Sequence, residues 1–143
     1  MQDPNCIFCK IAAGTLPAKI LMQNEKAMAL LDAFPLTLGH TLVISKSHFA
    51  KVQDMDRDNA ISMFEIVWQI IGAVEAGSYT NASIIAIHNG REAGQEIPHV
   101  HVHIVPRKRS DGAGAIHSMF KSKPKPDLKE LDALATEIIR KLS

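Results

Sequence analysis

Cysteine is scarce in this chain of 143 residues, which has only Cys6 and Cys9, separated by two residues. Small secreted scaffolds rely on several disulfides, and a pair this close cannot staple distant segments, so that class is excluded. The N-terminus lacks a basic start followed by an apolar stretch, and no run of 18 apolar residues occurs. We therefore expect neither a signal peptide nor a membrane span, and a soluble, cytoplasmic protein.

Charge of one sign is also missing from the composition. The chain carries 16 basic and 15 acidic side chains, which gives a formal net charge of +1. Such a balance provides no general field for holding a polynucleotide, so a nucleic acid polymer is not an expected partner. Apolar residues make up 46% of the chain. We expect one domain over residues 1–143 whose core needs neither disulfide nor metal for bulk stability.

The order of the predicted elements favours an α+β fold. A short helix over residues 6–13 ends at Gly14, and the main helix spans 56–75. Asp127 and Glu130 resemble a capping box that opens a last helix. Five strands are predicted at 19–23, 26–32, 40–45, 82–87 and 98–105. Their short connections indicate one five-stranded antiparallel sheet with flanking helices and an extra C-terminal helix.

Two further stretches carry a pattern without a motif. Ile61, Phe64, Trp68 and Ile71 recur at three- and four-residue steps, so we expect this face of the main helix to pack on the core. Residues 107–125 are predicted to be irregular and hold six basic side chains against one acid. They are either a solvated surface loop or a basic flap over a phosphate site.

Three histidines alternate with apolar residues in the last predicted strand. Since side chains on a strand alternate between faces, His99, His101 and His103 share one face, and the apolar residues between them should face the core. The first and third histidines lie roughly 13 Å apart on a regular strand. Because zinc binds nitrogen at about 2.0–2.1 Å, a single three-histidine zinc site is disfavoured.

The middle histidine of this strand has an imidazole on each side. An unperturbed imidazole has a pKa of about 6.5, so a neutral ring nitrogen is available at neutral pH. Such a nitrogen can attack phosphorus and later depart, which makes His101 the natural nucleophile of a two-step displacement. Its second nitrogen has to be held protonated by an acceptor, for example a backbone carbonyl.

The run His-Val-His-Val-His-Ile-Val over residues 99–105 resembles the signature of the histidine triad (HIT) superfamily. Three other segments are similar to the family in the same order. Residues 6–11 resemble the N-terminus of bacterial Hint-like members, 38–44 the strand of the fourth histidine, and 89–98 the Asn-Gly…Ala-Gly-Gln loop. The resemblance covers about residues 5–107, whereas 108–143 match nothing further. It implies a HIT-like fold and a homodimer.

The resemblance also implies roles for single residues. His101 would be the nucleophile, His103 would contact the phosphate and assist the leaving group, and His40 would support the triad together with Gln95. The nucleotide would be bound by Ile7, Phe8, Ile11 and Leu30 at the base, by Asp32 at the ribose, and by Asn89, Gln95, His101 and His103 at the phosphate. Glu96 departs from the family, in which many members have Ser or Thr there. An acid near the phosphate would repel it unless turned away.

The cysteine pair is open to several interpretations from its spacing alone: a redox pair, half of a zinc site, free thiols or a disulfide. Family members with this pair complete a zinc site with a histidine shortly after the His40 strand and with the first triad histidine. Here these are His48 and His99. The resemblance thus implies a closed, structural Zn²⁺ site of Cys6, Cys9, His48 and His99. The carbonyl of His99 is then the expected acceptor for His101.

The function implied by the resemblance is that of an enzyme acting on a small nucleotide. We expect a hydrolase that cuts at the α-phosphate of purine nucleoside phosphoramidates, dinucleoside polyphosphates or adenylyl conjugates through a nucleotidyl-histidine intermediate. A nucleotide-binding or scaffold protein, a nucleotidyltransferase, and a zinc or redox module are the alternatives. Sugar-1-phosphate uridylyl transferases have glutamine as the last triad residue, so His103 favours hydrolysis. His88 and His117 fit no motif position and are expected at the surface.

Overall fold

A computed structural model describes residues 2–142, whose contacts form two compact units, Met1–Arg109 and Ser110–Ser143. The larger unit contains two helices and five strands. They are α1 (Ile7–Ala12), β1 (Ile20–Gln23), β2 (Ala27–Leu31), β3 (Thr41–Ser45), α2 (Arg57–Gly77), β4 (Ser83–Ala86) and β5 (His101–Pro106).

The five strands form one antiparallel sheet in the order β1-β2-β3-β5-β4, which confirms the predicted fold class. The strand that carries the histidines is internal, so β3 and β4 hold its backbone from both sides. In this register Ile44 pairs with His101 and Leu42 with His103. The backbone positions of both histidines are therefore fixed by ladder hydrogen bonds, as a rigid site requires.

The two faces of the sheet bury different clusters. Val100, Val102 and Ile104 are buried with residues of β2, β3 and α2 on one face. The predicted alternation along β5 is thus confirmed, because the histidines lie on the opposite face of the sheet. Leu42 and Ile44 of β3 share that face, and α1 packs on it. Each fully buried aliphatic side chain contributes about 1.5–3 kcal/mol. The strand that carries the triad therefore has a buried apolar cluster on each of its two faces.

The prediction for the main helix was wrong about its buried face. Ile61, Phe64 and Trp68 are 50%, 47% and 77% exposed, and only Ile71 of the four packs partly on the core. The buried stripe is Met63, Ile66, Val67, Ile70 and Val74. Both stripes have helical spacing, so periodicity alone could not decide between them. The sheet buries the mostly aliphatic stripe and leaves the stripe with the two aromatic residues exposed.

By length and hydropathy α2 alone, among helices of the described residues, would reach across a membrane. Its N-terminus is capped by Asp56, which accepts a hydrogen bond of 2.8 Å from the amide of Asn59. Its buried stripe packs on the sheet, as expected for the core helix of a folded domain. We therefore assign α2 to the core.

The smaller unit consists of a 3-10 turn, Ile116–Met119, and a helix, α3 (Leu128–Arg140). The predicted capping box is confirmed: the amide of Glu130 donates to Asp127 at 2.8 Å, and the amide of Asp127 donates to Glu130 at 2.9 Å. Every described residue of this unit is exposed; of the basic residues in the predicted irregular stretch that precede it, Lys108 and Arg109 are exposed and Arg107 is half-buried.

Candidate functional site

A glycine turn presents His40 to the site. Gly39 has φ +87°, and a Cβ added there would lie 1.9 Å from the hydroxyl oxygen of Ser78, so only glycine fits. His40 lies beside the end of β2, because the amide of Asp32 donates to the carbonyl of His40 at 2.9 Å. The turn thus brings an acid from β2 and a histidine from the start of β3 to the triad strand.

The predicted catalytic histidines lie together. Ring centroids are 4.8 Å apart for His101 and His103, and 5.1 Å apart for His40 and His103. His40 and His101 are buried, and His103 is half-buried. Three imidazoles from two neighbouring strands therefore form one cluster.

The orientation of His101 is set by the backbone of β5. Its Nδ1 lies 2.7 Å from the carbonyl oxygen of His99, which can only accept a hydrogen bond. The proton of the neutral ring is thus on Nδ1, and Nε2 carries the lone pair. Burial lowers the pKa of His101, which keeps the ring neutral at pH 7. The expected carbonyl acceptor is confirmed.

A second backbone group fixes the proton on His40. The amide N–H of Leu36 donates to Nδ1 of His40 at 3.1 Å, so that nitrogen must be the acceptor. The proton of the neutral ring is then on Nε2, which lies 2.9 Å from Nδ1 of His103. Burial lowers the pKa of His40 and favours this neutral form. His40 therefore donates, and Nδ1 of His103 accepts.

The consequence is that His103 presents an N–H. With its Nδ1 accepting, the proton of the neutral ring is on Nε2, which is buried and has no hydrogen-bond partner among residues 2–142. Burial, followed by the neighbouring histidines, lowers the pKa of His103 to about 4. An unpaired buried donor is costly and is expected where a ligand completes it. Side by side, His101 offers a lone pair and His103 offers a donor.

Asp32 extends this cluster at the far side of His40. Its Oδ2 lies 3.4 Å from Nδ1 of His40, and its other oxygen accepts from the amide of Phe34 at 2.9 Å. Asp32, His40 and His103 lie close enough to suggest a metal group. The facing nitrogens of His40 and His103 share a proton, however, so neither lone pair is left for an ion between them. The hydrogen-bonded relay therefore consists of His40 and His103, and Asp32 acts on it through its charge.

The loop after β4 is braced by two of the predicted phosphate-binding side chains. The side-chain oxygen of Gln95 accepts from the amide of Gly90 at 2.8 Å, and both of its amide hydrogens go to backbone carbonyls, at 2.8 and 3.0 Å. The side-chain oxygen of Asn89 accepts from the amide of Val52 at 2.9 Å. In this conformation both residues hold the loop, and a direct phosphate contact stays a prediction.

Glu96 lines an open cavity with Lys51 and Arg91. None of the residues that line this cavity, within the described part of the chain, is a histidine. The side chain of Glu96 is exposed. The acid that departs from the family pattern therefore lines a cavity to which none of the described histidines contributes.

Three of the four residues predicted to hold the base form part of one cluster. Phe8, Ile11 and Leu30 are buried together, whereas Ile7 is 44% exposed. The ring of Phe8 lies 5.0 Å from that of His101, centroid to centroid. The α1 side of the sheet thus adjoins the triad directly, and contact of these residues with a base stays a prediction.

Both cysteines are free thiols and meet two histidines from distant segments. Nδ1 of His99 lies 3.3 Å from Sγ of Cys6 and 3.6 Å from Sγ of Cys9, and Nδ1 of His48 lies 3.4 Å from Sγ of Cys9. The candidate ligand atoms of the four residues all lie within 4.8 Å of one another. The predicted set of four is therefore assembled at one point beside α1.

This set passes a chemical test for zinc. The carbonyl of Ser45 lies 2.8 Å from Nε2 of His99 and fixes the proton there, so Nδ1 turns its lone pair to the thiols. Burial lowers the pKa of His99 to about 4, so the ring is neutral. Tetrahedral zinc with Zn–S of about 2.3 Å and Zn–N of about 2.0–2.1 Å sets sulfur and nitrogen about 3.6 Å apart. The observed separations agree.

One site residue was missed by sequence reasoning. The prediction that His88 lies at the surface is wrong, because its ring is half-buried and its centroid is 5.3 Å from that of His103. Ala86 pairs with His103 in the β4–β5 register, so His88, two residues later, emerges on the triad face. The alternation over residues 85–88 was the available signal. His117 is exposed, as expected.

Comparison with known proteins matches residues 13–110 to the HIT domain model. Protein hit of Bacillus subtilis is 35% identical over 140 residues and covers 97% of this chain and 95% of its own. Adenylylsulfatase HINT3 of Arabidopsis thaliana is 33% identical, with coverage of 96% and 70%. Adenosine 5'-monophosphoramidase hnt1 of Schizosaccharomyces pombe is 32% identical, with coverage of 96% and 98%.

Solved structures are similar over the same span. A HIT family member from Bacillus subtilis superposes with a TM-score of 0.85 at 35% identity and covers 97% of this chain and 98% of its own. A zinc-bound histidine triad protein from Mycobacterium smegmatis has a TM-score of 0.71 at 33% identity, with coverage of 85% and 84%. With its triad, its sheet and these matches, the chain belongs to the histidine triad (HIT) family.

Proposed function

We propose that this protein hydrolyses a purine nucleotide conjugate at its α-phosphate through a covalent nucleotidyl intermediate on His101. Membership of the HIT family and relatives named as hydrolases support a nucleotide hydrolase in general. The observation that carries the specific proposal is the pair of fixed tautomers. Nε2 of His101 carries a free lone pair, and Nε2 of His103 carries a proton that it can donate in a hydrogen bond. Attack at phosphorus with assistance to the leaving group needs that pair.

The first step forms a bond between Nε2 of His101 and phosphorus as the bond to the leaving group breaks with its electron pair. A nitrogen leaving group takes a proton from His103, which would become protonated once the negative charge of the bound phosphate lies beside it, whereas an anionic leaving group departs without a proton. In the second step water attacks phosphorus, and its proton returns through the histidine cluster. The bond to His101 breaks, and the nucleoside monophosphate is released with the enzyme restored.

The substrate is proposed to lie across the sheet from α1 to β5. Its base would rest against Phe8, Ile11 and Leu30, with Ile7 at the exposed edge, and its ribose hydroxyls would meet Asp32. The phosphate would then reach the two Nε2 atoms of the triad. The loop held by Asn89 and Gln95 would close the phosphate site with its backbone amides, a typical way to hold an anion.

Cys6, Cys9, His48 and His99 are proposed to hold a structural Zn²⁺. Two thiolates and two imidazoles fill the four positions of a tetrahedral shell, so no position is left open for catalysis. The free energy of metal binding would then stabilise the fold. The residues would tie α1 and the segment after β3 to the triad strand. The carbonyl of His99 would be held in place, and with it the proton on Nδ1 of His101.

We also propose that two copies of the chain associate. Ile61, Phe64 and Trp68 form an exposed apolar stripe on α2, and β4 is an edge strand of the sheet. Exposed apolar stripes and free edges are typical of surfaces that a partner covers. Sedimentation should give a dimer, and Trp68→Glu should shift it toward monomer; a wild-type monomer would contradict the proposal.

We expect a cytoplasmic location, in keeping with the free thiols.

The test is a turnover panel with AMP phosphoramidate, adenylyl sulfate and a dinucleoside polyphosphate. Wild-type protein should release AMP from at least one of them, whereas His101→Asn should bind nucleotide without turnover. Binding without turnover by the wild type would indicate a nucleotide-binding or scaffold protein. Transfer of AMP to an added alcohol in preference to water would indicate a nucleotidyltransferase. Either outcome would overturn the hydrolase assignment.

A further inference from the structure

The side chain of His88 stands at the β4 border of the histidine cluster. Its ring centroid lies 5.3 Å from that of His103, with the planes inclined by 50°. A Cβ added to Gly94 would contact the ring at 3.8–3.9 Å, so the loop after β4 covers it closely. Burial is the main cause that lowers the pKa values of His101 and His103, and the nearby ring of His88 adds to it. His88 is thus a fourth imidazole within reach of the reacting groups.

Unlike its neighbours, His88 is not committed to a partner. Its side chain makes no hydrogen bond to any residue between 2 and 142, and it is only half-buried. By contrast, both nitrogens of His40 and of His99 face protein groups, and one nitrogen each of His101 and His103 is engaged. An imidazole in either neutral tautomer keeps one N–H. His88 can therefore offer that N–H to a bound molecule.

The position of His88 identifies which part of a substrate it would meet. If the base lies on the α1 side, as in the proposed function on which this step rests, the nucleotide runs from β2 across β3 to the phosphate at β5. The next strand in the sheet is β4. A group attached to the far side of the phosphate is therefore directed toward His88, and that group is the one that leaves.

We propose that His88 is a specificity-determining residue that favours substrates with an oxyanion as the leaving group, such as sulfate or a phosphate chain. When the bond from phosphorus to oxygen breaks, the electron pair stays on the departing oxyanion, which needs no proton at neutral pH but gains charge. The N–H of His88 would stabilise that charge. An amine leaving group gains no such charge and instead takes a proton from His103, so it profits little from His88.

The experiment compares wild-type protein with His88→Ala, His88→Gln and Asn81→Ala on adenylyl sulfate and AMP phosphoramidate. Removing one donor aimed at developing charge lowers kcat by up to about 100–1000-fold in enclosed sites. For this half-exposed ring we expect about a 10–100-fold loss of kcat on adenylyl sulfate for His88→Ala, with KM little changed, and less than about a threefold loss on the phosphoramidate.

Two controls keep the outcome specific. His88→Gln retains an N–H and should recover most of the lost kcat, and exposed Asn81, just before β4, should tolerate alanine without effect. Equal losses on both substrates, or none, would overturn the role of His88 while leaving the hydrolase intact. If the wild type hydrolyses neither substrate, the proposed function fails. Calorimetric titration of the AMP-bound protein with sulfate, the fully charged leaving group, then decides: equal affinity of wild type and His88→Ala for sulfate refutes the proposal.

Discussion

The two ends of the histidine run share one strand face and one chemistry but have different surroundings. Burial lowers the pKa of both His99 and His103 to about 4. The ring of His99 is enclosed by two thiols and by the carbonyl of Ser45, so both nitrogens are used. At the other end, Nε2 of His103 has no partner within residues 2–142. One end is closed, as in a structural site, and the other is open, as in a reacting site.

The difference lies in the backbone groups that fix the proton on each ring. Carbonyl oxygens accept from Nε2 of His99 and from Nδ1 of His101, whereas an amide hydrogen donates to Nδ1 of His40. Each contact leaves the other nitrogen with a defined character, either lone pair or N–H. A repeat of identical side chains thus acquires separate roles without any charged neighbour having to assign them.

Replacing His101 should produce the largest effect, because it removes the atom that forms the covalent bond. We expect His101→Asn to lower kcat on the order of 10⁴-fold or more while nucleotide binding persists. Steady-state turnover with calorimetry on the same preparation measures both. Exposed His117→Asn is the matched control for loss of an imidazole. Turnover of His101→Asn within about tenfold of wild type would remove the nucleophile from the mechanism.

Removing ligands from the closed end of the run, the proposed zinc site, should lower the stability of the fold more than the rate of turnover. Cys6→Ser combined with Cys9→Ser should abolish a zinc content of about one per chain. It should lower the free energy of unfolding by about 4 kcal/mol when zinc exceeds its dissociation constant a thousandfold. Elemental analysis and denaturant unfolding are the measurements. A chelator should destabilise the wild type but not the variant; equal stability of both proteins would show that the thiols serve another purpose.

Breaking the relay at the open end should have an intermediate effect. His40→Ala removes the donor to Nδ1 of His103, so the proton on that ring is no longer fixed. We expect kcat to fall about a hundredfold, the lower range for acid–base assistance. ¹⁵N NMR should show His103 passing from one tautomer to a mixture. An unchanged ¹⁵N spectrum of His103 together with lost turnover would mean that His40 acts by packing alone.

The smallest effect concerns pH. Because the folded-state pKa of His103, about 4, lies below the ordinary histidine value of 6.5, the unfolded chain binds more protons between these values. Stability should be fully present above pH 6.5 and should fall as the pH drops toward 4. Thermal unfolding across that window should be less pH-dependent in His103→Gln than in the wild type. The same slope in both proteins would contradict the assigned environment of His103.

Sequence reasoning predicted the sheet and its histidine face because period-two alternation along β5 leaves no ambiguity. It failed on α2, where two apolar stripes of equal spacing compete and only the packed fold selects one. It also missed His88, whose approach to His103 depends on the register of β4 against β5. The tautomer of His101 was expected, but those of His40 and His103 were beyond reach for a similar reason: the amide of Leu36 meets His40 only after a glycine turn has folded.

The most direct test of the central claim is to trap the intermediate. A rapid quench of wild-type protein with a substrate labelled at the α-phosphate should place label on the protein. The adduct should be acid-labile, map to Nε2 of His101, and decay at the rate of AMP release. A quench that finds no protein-bound label before AMP appears, together with inversion of configuration at phosphorus, would mean direct attack by water and would contradict the account.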